Sequence, residues 1–169
     1  NAYRETSGHV SDYSSEMQLK FWCVNQELHY QKAIIFQDHE TAQQIINEGH
    51  DAGKIKQLGR MVKGYDDAKW CAVRYDVCRK ALYSKFSQNR DLKRILLETG
   101  DKIIVEAAKD KVWGIGVVEF SSSDGIVGAQ NKEMGGWDKE PKEWTGENLL
   151  GRCLMDVRKM LLAAEETSG

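Results

Sequence analysis

The chain has 169 residues, of which 41% are hydrophobic and 30% are charged, and its net charge is −2. This length and balance predict one globular domain over residues 1–169 and give no sign of a fibrous or disordered class. No apolar run is long enough for a transmembrane helix, and the first residues lack a signal peptide, although the non-methionine start suggests a trimmed chain.

The first two thirds of the chain are dominated by helical periodicity. Residues 1–15 are polar and rich in serine, and we expect them to be loosely ordered. Alternating apolar residues over 17–24 favour a short strand. From residue 25 the apolar positions recur at helical spacing. The pattern predicts one helix starting there and four more over 41–48, 54–62, 66–86 and 89–97.

The last third predicts strands, a long loop and a final helix. The β-branched segment 102–107 and the segment 115–120 favour strands. Residues 121–147 are rich in Gly, Ser and Trp, contain the only proline, and are typical of a functional loop. An amphipathic helix is expected over 148–164. The predicted fold class is therefore α+β, a helix-rich single domain with a small β-sheet.

The charge is unevenly distributed along the chain. Residues 54–94 contain twelve Lys and Arg against four Asp, which gives +8, so the remainder carries −10. A basic middle in a mildly acidic protein suits a phosphorylated or nucleic-acid substrate. The same charges are equally compatible with solvated helix faces.

Several common kinds of site are absent from the sequence. It contains no phosphate-binding P-loop, no dinucleotide fingerprint, no serine-hydrolase elbow and no H-E-x-x-H metal motif. The four cysteines and four histidines lack metal-ligand spacing, so no metal and no cofactor are expected. Reduced, mostly buried thiols fit a cytoplasmic or nuclear protein.

A few positions stand out locally. Lys32 shares a predicted helical face with Leu28 and Ile35, where position alone favours a lysine whose ammonium reaches solvent. Partial desolvation of that amine is the other interpretation. Glu106 follows an apolar segment, and Asp110 and Trp113 come shortly after it. Solvated acids at a strand end are the simpler interpretation of that second group.

Short motifs in a fixed order carry a resemblance over about residues 21–158. They are QKA at 31–33, FxD at 36–38, LGR at 58–60, Trp70, KFSQN at 85–89, TGD at 99–101, VEA at 105–107, DxxWGxG at 110–116 and GxNLxGRxLMxxR at 146–158. In order and spacing these motifs resemble the NADAR family. That family includes N-glycosidases of riboflavin-biosynthesis intermediates and enzymes that remove ADP-ribose from guanine bases.

One position departs from the family pattern. The family usually has glutamate seven residues before the lysine, and here that residue is Asn25, while the nearest acid is Glu27. At about 100° per residue, position 25 lies about 20° from Lys32 on a helix and position 27 about 140° away. Glu27 therefore cannot take over the role unless the helix register differs.

The resemblance implies an N-glycosidase that cleaves a nitrogen–ribose bond. Its implied substrates are an ADP-ribosylated guanine nucleoside or DNA or RNA end, or a ribosylaminopyrimidine phosphate, with no membrane and no obligatory protein partner. Lys32 is implied as nucleophile or proton carrier, with Glu106 and Asp110 as acid/base or ribose-orienting groups. The implied substrate-binding residues are Asn25, Arg60, Trp70, Asp101, Trp113, Gly114 and Asn148.

Two other functions remain open from the sequence. Asn25 favours a non-catalytic reader of ADP-ribose or of a ligand that resembles NAD. The basic middle favours a structural domain that binds nucleic acid, which predicts steep salt dependence and no requirement for Lys32.

Overall fold

Helices make up most of the regular structure in the part of the chain that the computed structural model describes, residues 3–4, 19–116 and 144–167. The helices are α1 (Val24–Ile35), α2 (His39–Asn47), α3 (Ala52–Arg60), α4 (Asp67–Gln88), α5 (Arg90–Glu98) and α6 (Leu149–Glu166). Two short strands, β1 (Tyr3–Arg4) and β2 (Lys20–Phe21), precede them. The predicted helices are all present, with ends shifted by a few residues, and the helix-rich part of the fold prediction is confirmed.

Within the part of the chain that the structure describes, the sheet is smaller than the sequence predicts. In the described residues it consists of β1 and β2, paired antiparallel with Tyr3 opposite Phe21 and Arg4 opposite Lys20. Tyr3 and Arg4 are the described residues of the stretch 1–15, for which loose order stays a prediction, and the rest of that stretch lies outside the described residues. So do residues 117–120 of the second predicted strand and 121–143 of the predicted long loop.

The strand predicted over 102–107 is wrong. The side chain of Asn148 makes the hydrogen bonds that a neighbouring strand would otherwise make. Its Oδ1 accepts from the N–H of Glu106 at 2.9 Å, and its Nδ2 donates to the carbonyl of Ile104 at 2.9 Å. The carbonyl of Glu106 accepts from the N–H groups of Ala108 and Ile115. The β-branched side chains favour extended backbone, but its polar groups are bound by a side chain and a turn. Residues 115 and 116, predicted to begin the next strand, are also irregular.

The chain divides into two compact units. The first unit comprises residues 1–102 and 156–169, and the second comprises residues 103–155. In the first unit α1 packs against α2, α3 and α4. Its buried core cluster is Ala33, Ala42, Ile45, Ile55 and Val62.

Three helices of the first unit begin at aspartates. Asp38, Asp51 and Asp66 cap α2, α3 and α4, and their carboxylates accept the N–H groups of Thr41, Lys54 and Lys69. Aspartate is among the best residues at this position because it satisfies an otherwise unpaired N–H and carries a charge that the helix dipole favours. The caps fix where each helix starts.

Asn89 caps α5 only with its backbone, whose carbonyl accepts from the N–H of Lys93 at 2.8 Å. It is the residue before α5, but its side chain makes no capping bond there. Its Nδ2 instead donates to the carbonyl of Lys85 at 2.7 Å. The side chain thus satisfies a carbonyl at the end of α4, where helices leave such groups unpaired.

Neither a membrane-spanning helix nor a disulfide is found among the described residues. None of the described helices is both long and apolar enough to cross a membrane. The four cysteines, all within the described ranges, form no disulfide. Cys78 and Cys153 are buried, Cys23 is partly buried and Cys71 is exposed, so burial of the thiols is less general than predicted.

Candidate active site

Lys32 lies in the last turn of α1, where α3 and the start of α4 meet that helix. Its Nζ donates to the carbonyl of Gly59 at 2.9 Å. The same nitrogen lies 4.1 Å from the ring centroid of Tyr65 and 5.9 Å from that of Trp70. The amine is thus held on three sides, and the sequence-based preference for a lysine reaching freely into solvent does not describe it. We call His29, Lys32, Gly59, Tyr65, Asp67 and Trp70 the Lys32 cluster.

The charge state of Lys32 is set by opposing effects. Burial lowers the pKa of Lys32 because it disfavours the ammonium, and the carboxylate of Asp67 partly opposes this. The faces of the two aromatic rings also favour the cation. The net effect lowers the pKa of Lys32 from its ordinary value, so more of the neutral amine is present than in a solvated lysine.

Tyr65 and Asp67 form a hydrogen-bonded pair beside this amine. The hydroxyl of Tyr65 donates to Oδ1 of Asp67 at 2.7 Å. That bond, together with burial and the negative charge of Asp67, raises the pKa of Tyr65 to about 12. The same bond lowers the pKa of Asp67, because it stabilises the ionised carboxylate. Tyr65 therefore stays protonated and Asp67 stays ionised throughout the physiological range.

His29 lies one turn before Lys32 on α1 and packs against Gly59 of α3. A Cβ added to Gly59 would collide with the imidazole, so only glycine allows this approach. Burial, followed by the positive charges of Lys32, Lys56 and Arg60, lowers the pKa of His29 to about 4. The imidazole is therefore neutral at pH 7, and its Nδ1 is buried without a hydrogen-bond partner among the described residues.

The helix register at position 25 agrees with the sequence-based geometry. Asn25 is the second residue of α1, so it belongs to the same helix as Lys32 two turns later. Glu27 is only 2% exposed and belongs to the buried face of that helix. The acid nearest in sequence to Asn25 therefore points away from the face that carries Lys32.

The second unit contains a tight turn around Asp110. Oδ1 of Asp110 accepts from the N–H groups of Val112 and Trp113 at 2.8 and 2.7 Å. Gly114 follows, and a Cβ there would lie 2.7 Å from the carbonyl oxygen of Ala108 and 2.9 Å from that of Asp110. The hydrogen bonds of Asp110 stabilise this turn, and Gly114 allows it because there is no room for a Cβ at that position.

That turn also receives the start of α6. The N–H groups of Asn148, Leu149 and Leu150 donate to the carbonyls of Gly114, Val112 and Trp113. These bonds satisfy amide groups that the first turn of a helix leaves unpaired. Asn148, only 2% exposed, has a φ of 51° and uses both ends of its side-chain amide on residues 104–106. Its observed contacts are therefore with the backbone that carries Glu106.

The predicted site residues are divided between the two units. The first unit contains Asn25, Lys32, Arg60, Trp70 and Asp101, and the second contains Glu106, Asp110, Trp113, Gly114 and Asn148. Within the first unit, the fold brings Lys32 and Trp70 together. Arg60 is the exposed last residue of α3, and Asp101 lies in an exposed turn after α5. Ligand contacts of all these residues remain predictions.

Sequence reasoning missed Tyr65, Asp67 and His29. Their only sequence signals are the acidic pair that opens α4 and the position of His29 one turn before Lys32. Neither signal shows that the ring of Tyr65 faces an amine 33 positions earlier in the chain. Within residues 3–4, 19–116 and 144–167, no group of three or more His, Cys, Asp or Glu could hold a metal ion.

Comparison with known proteins settles the family. The model of the NADAR domain matches residues 2–162, nearly the whole chain. The chain belongs to the NADAR family. An N-glycosidase of Acanthamoeba polyphaga mimivirus is 38% identical over 129 residues, which cover 76% of this chain and 67% of that protein.

Two further comparisons concern a longer protein and the fold. A riboflavin biosynthesis protein of Vibrio vulnificus is 30% identical over 140 residues, which cover 82% of this chain but 31% of that protein. The solved structure of the Escherichia coli protein YbiA matches with a TM-score of 0.63 and 24% identity, covering 89% of this chain and 72% of that one. The structural likeness concerns the fold alone. The family and the names of its members support a glycosidase-type enzyme.

Proposed function

We propose that this chain is an N-glycosidase that hydrolyses a nitrogen–ribose bond, either releasing ADP-ribose from a guanine base or cleaving a ribosylated riboflavin precursor. The observation that carries the proposal is the Lys32 amine, held by the carbonyl of Gly59 and two aromatic rings, with its pKa lowered by burial. A lysine desolvated in this way is a better nucleophile towards a carbonyl or imine carbon than a solvated one.

The reaction uses the open-chain form of the riboside. When the ribose ring opens, C1 and the departing nitrogen form an imine; the Lys32 amine adds to C1 and the base leaves as a protonated amine. Water then hydrolyses the lysine imine, which releases the ribose as an aldehyde and restores the amine. Each step conserves atoms and electrons and requires only proton transfers. For those transfers we propose Glu106 and Asp110, with Asp101 orienting neighbouring groups.

Positive charge near the Lys32 cluster suits a phosphorylated substrate. Lys56 and Arg60 lie close enough to His29 to depress its pKa, so α3 presents cations on this side of the unit. The planar guanidinium of Arg60 is exposed and suited to bidentate contact with a phosphate. Trp70 supplies an apolar wall, and we assign Trp113, Gly114 and Asn148 to substrate contacts in the second unit.

The test is a product analysis with two substrates. The protein is incubated with an ADP-ribosyl-guanine oligonucleotide and, separately, with the ribosylated pyrimidine precursor, and the products are identified by mass. Borohydride added during turnover should leave a covalent ribose adduct on Lys32. Lys32→Ala should keep its fold and lose both turnover and adduct, whereas Lys80→Ala, an exposed lysine on α4, should keep both. Full turnover by Lys32→Ala would refute the assignment.

A non-catalytic reader of ADP-ribose is the second candidate, and two observations favour it. The Lys32 amine already has a hydrogen-bond acceptor and a ring that favours its charged form, and Asn25 lacks the family carboxylate. A protein that only recognises ADP-ribose should bind it but should give no cleavage product from either of the two substrates. Binding without cleavage in the same experiment would select this function.

A further inference from the structure

Tyr65 lies between two charged groups of the first unit that are far apart in sequence. One face of its ring is 4.1 Å from Nζ of Lys32, and its hydroxyl is bound to Oδ1 of Asp67 at 2.7 Å. The side chain is 44% exposed, so packing alone does not hold the ring in this position. A second ring contact, to Phe36 at 5.4 Å between centroids, supports it from the side of α1.

Asp67 is fixed more firmly than its exposure suggests. It is the first residue of α4, directly after the capping Asp66, so its backbone position is set by the helix start. Oδ1 accepts the Tyr65 hydroxyl, and Oδ2 lies 3.6 Å from the thiol of Cys71 one turn later. The carboxylate is therefore an anchored acceptor to which the end of the Tyr65 side chain is tied.

We infer that Tyr65 and Asp67 are positioning residues for the Lys32 amine: Asp67 anchors the hydroxyl of Tyr65, and the anchored ring covers one side of the amine. The carbonyl of Gly59 holds the amine from α3, and Trp70 closes a further side from α4. This arrangement leaves the amine a restricted direction from which a C1 carbon can approach. The inference rests on the proposed role of Lys32 but is tested separately from it.

The pair also balances the charge at Lys32. The charges in this region are coupled: Lys32, Lys56 and Arg60 act on His29, and Asp67 acts on Lys32. Arg74 in turn acts on Asp67. Asp67 is the acid whose charge acts on Lys32. Because a nearby negative charge favours the ammonium, removal of that charge should make Lys32 lose its proton at lower pH.

Four variants separate these effects. Asp67→Asn removes the charge and retains the shape, Tyr65→Phe retains the ring but removes the hydroxyl that anchors it, and Tyr65→Leu removes the ring. The matched control is Asp76→Asn, an exposed carboxylate of the same helix that is paired with Arg79. All four changes lie at exposed positions, so the fold should survive, and circular dichroism checks this.

The direct measurement is an NMR titration of the Lys32 side chain in the unliganded protein, assigned with Lys32→Ala. We expect the titration midpoint to fall by roughly half a pH unit in Asp67→Asn, the size of an interaction between charges several ångströms apart near water. It should fall less in Tyr65→Phe and stay at the parent value in Asp76→Asn. Unchanged midpoints in both Asp67→Asn and Tyr65→Leu would overturn the inference.

The kinetic measurement shows whether the positioning matters for cleavage. In Tyr65→Leu the plateau of kcat should fall roughly 10- to 100-fold with little change in KM, because a misplaced nucleophile costs rate rather than ground-state binding. In Asp67→Asn, the low-pH limb of the plot of kcat against pH should move in the same direction as the NMR titration midpoint of Lys32. If the midpoints shift while no form cleaves substrate, the positioning stands and the proposed glycosidase function fails. If the parent protein cleaves substrate and gives the borohydride adduct on Lys32, but the Tyr65 and Asp67 variants change neither the Lys32 titration midpoint nor kcat, the glycosidase function stands and the positioning role fails.

Discussion

The Lys32 cluster and the segment around Asn148 use polar side chains in opposite ways. In the Lys32 cluster, ionisable groups face one another and aromatic rings, and their pKa values shift as a result. Around Asn148, polar side chains bind backbone: Asn148 holds Ile104 and Glu106, and Asp110 closes the turn at Trp113. Perturbed titratable groups accompany reactive sites more often than satisfied backbone contacts do. The first region is therefore the better candidate for the nucleophile, whereas in the second region side chains that we propose to move protons or contact substrate also hold the backbone in place.

The largest expected effect concerns Asn25, which tests whether the Lys32 cluster is chemically complete. A carboxylate at this position would lie on the Lys32 face of α1 and could move a proton, which an amide cannot do. We expect Asn25→Glu to raise kcat by roughly 100- to 10,000-fold, the usual contribution of one general acid or base, with little change in ligand affinity. Asn47→Glu on α2 adds the same charge as a control. A fast parent enzyme that gains nothing from Asn25→Glu would show that another group already performs the proton transfer.

The next effect concerns Asn148 and tests the constructional role of the second region. Asn148→Ala would leave the carbonyl of Ile104 and the N–H of Glu106 without their partner, and alanine tolerates a φ of 51° less well than asparagine. We expect the free energy of unfolding to fall by about 3 kcal/mol, as measured by urea denaturation. Asn47→Ala, at an exposed position on α2, should change it by less than about 0.5 kcal/mol. Parent-like stability of Asn148→Ala would remove the distinction between the two regions.

A smaller effect is expected from the pH dependence that His29 confers. The pKa of His29 is about 4 in the folded protein and 6.5 ordinarily, so the unfolded chain binds the proton first as pH falls. The contribution of His29 to the free energy of unfolding is therefore constant above about pH 6.5 and declines as the pH falls from 6.5 to 4. At pH 5 the loss should be about 2 kcal/mol relative to pH 7. His29→Gln should reduce the difference in unfolding free energy between pH 7 and pH 5 by that amount, and His39→Gln, at the exposed start of α2, should not. Equal pH dependence in parent and His29→Gln would contradict the buried neutral imidazole.

The smallest expected effect is that of metal removal. Since the described residues contain no group of three or more potential ligands, dialysis against a chelator should leave kcat unchanged within error. A large loss that one divalent ion restores would instead reveal a metal site built elsewhere in the chain. It would also give a different explanation for reactivity near Lys32.

The sequence predicted local features better than tertiary ones. Helices were predictable because periodicity and acidic caps such as Asp66 are encoded over a few neighbouring residues. The segment 102–107 was not, since its β-branched residues say nothing about a distant Asn148 that binds its backbone. For the same reason Lys32 was identifiable as an unusual lysine, whereas the approach of Tyr65 was not. Its contact depends on how α1, α3 and α4 meet.

The aspartate caps of α2, α3 and α4 have a consequence for ligand selection. A helix start often binds phosphate through its unpaired N–H groups, but at these three starts a carboxylate of the chain already accepts one of them and repels a second anion. A phosphorylated ligand bound beside these three helix starts would therefore depend on lysine and arginine side chains, whose attraction is screened by mobile ions. The dissociation constant of such a ligand should therefore increase markedly with ionic strength.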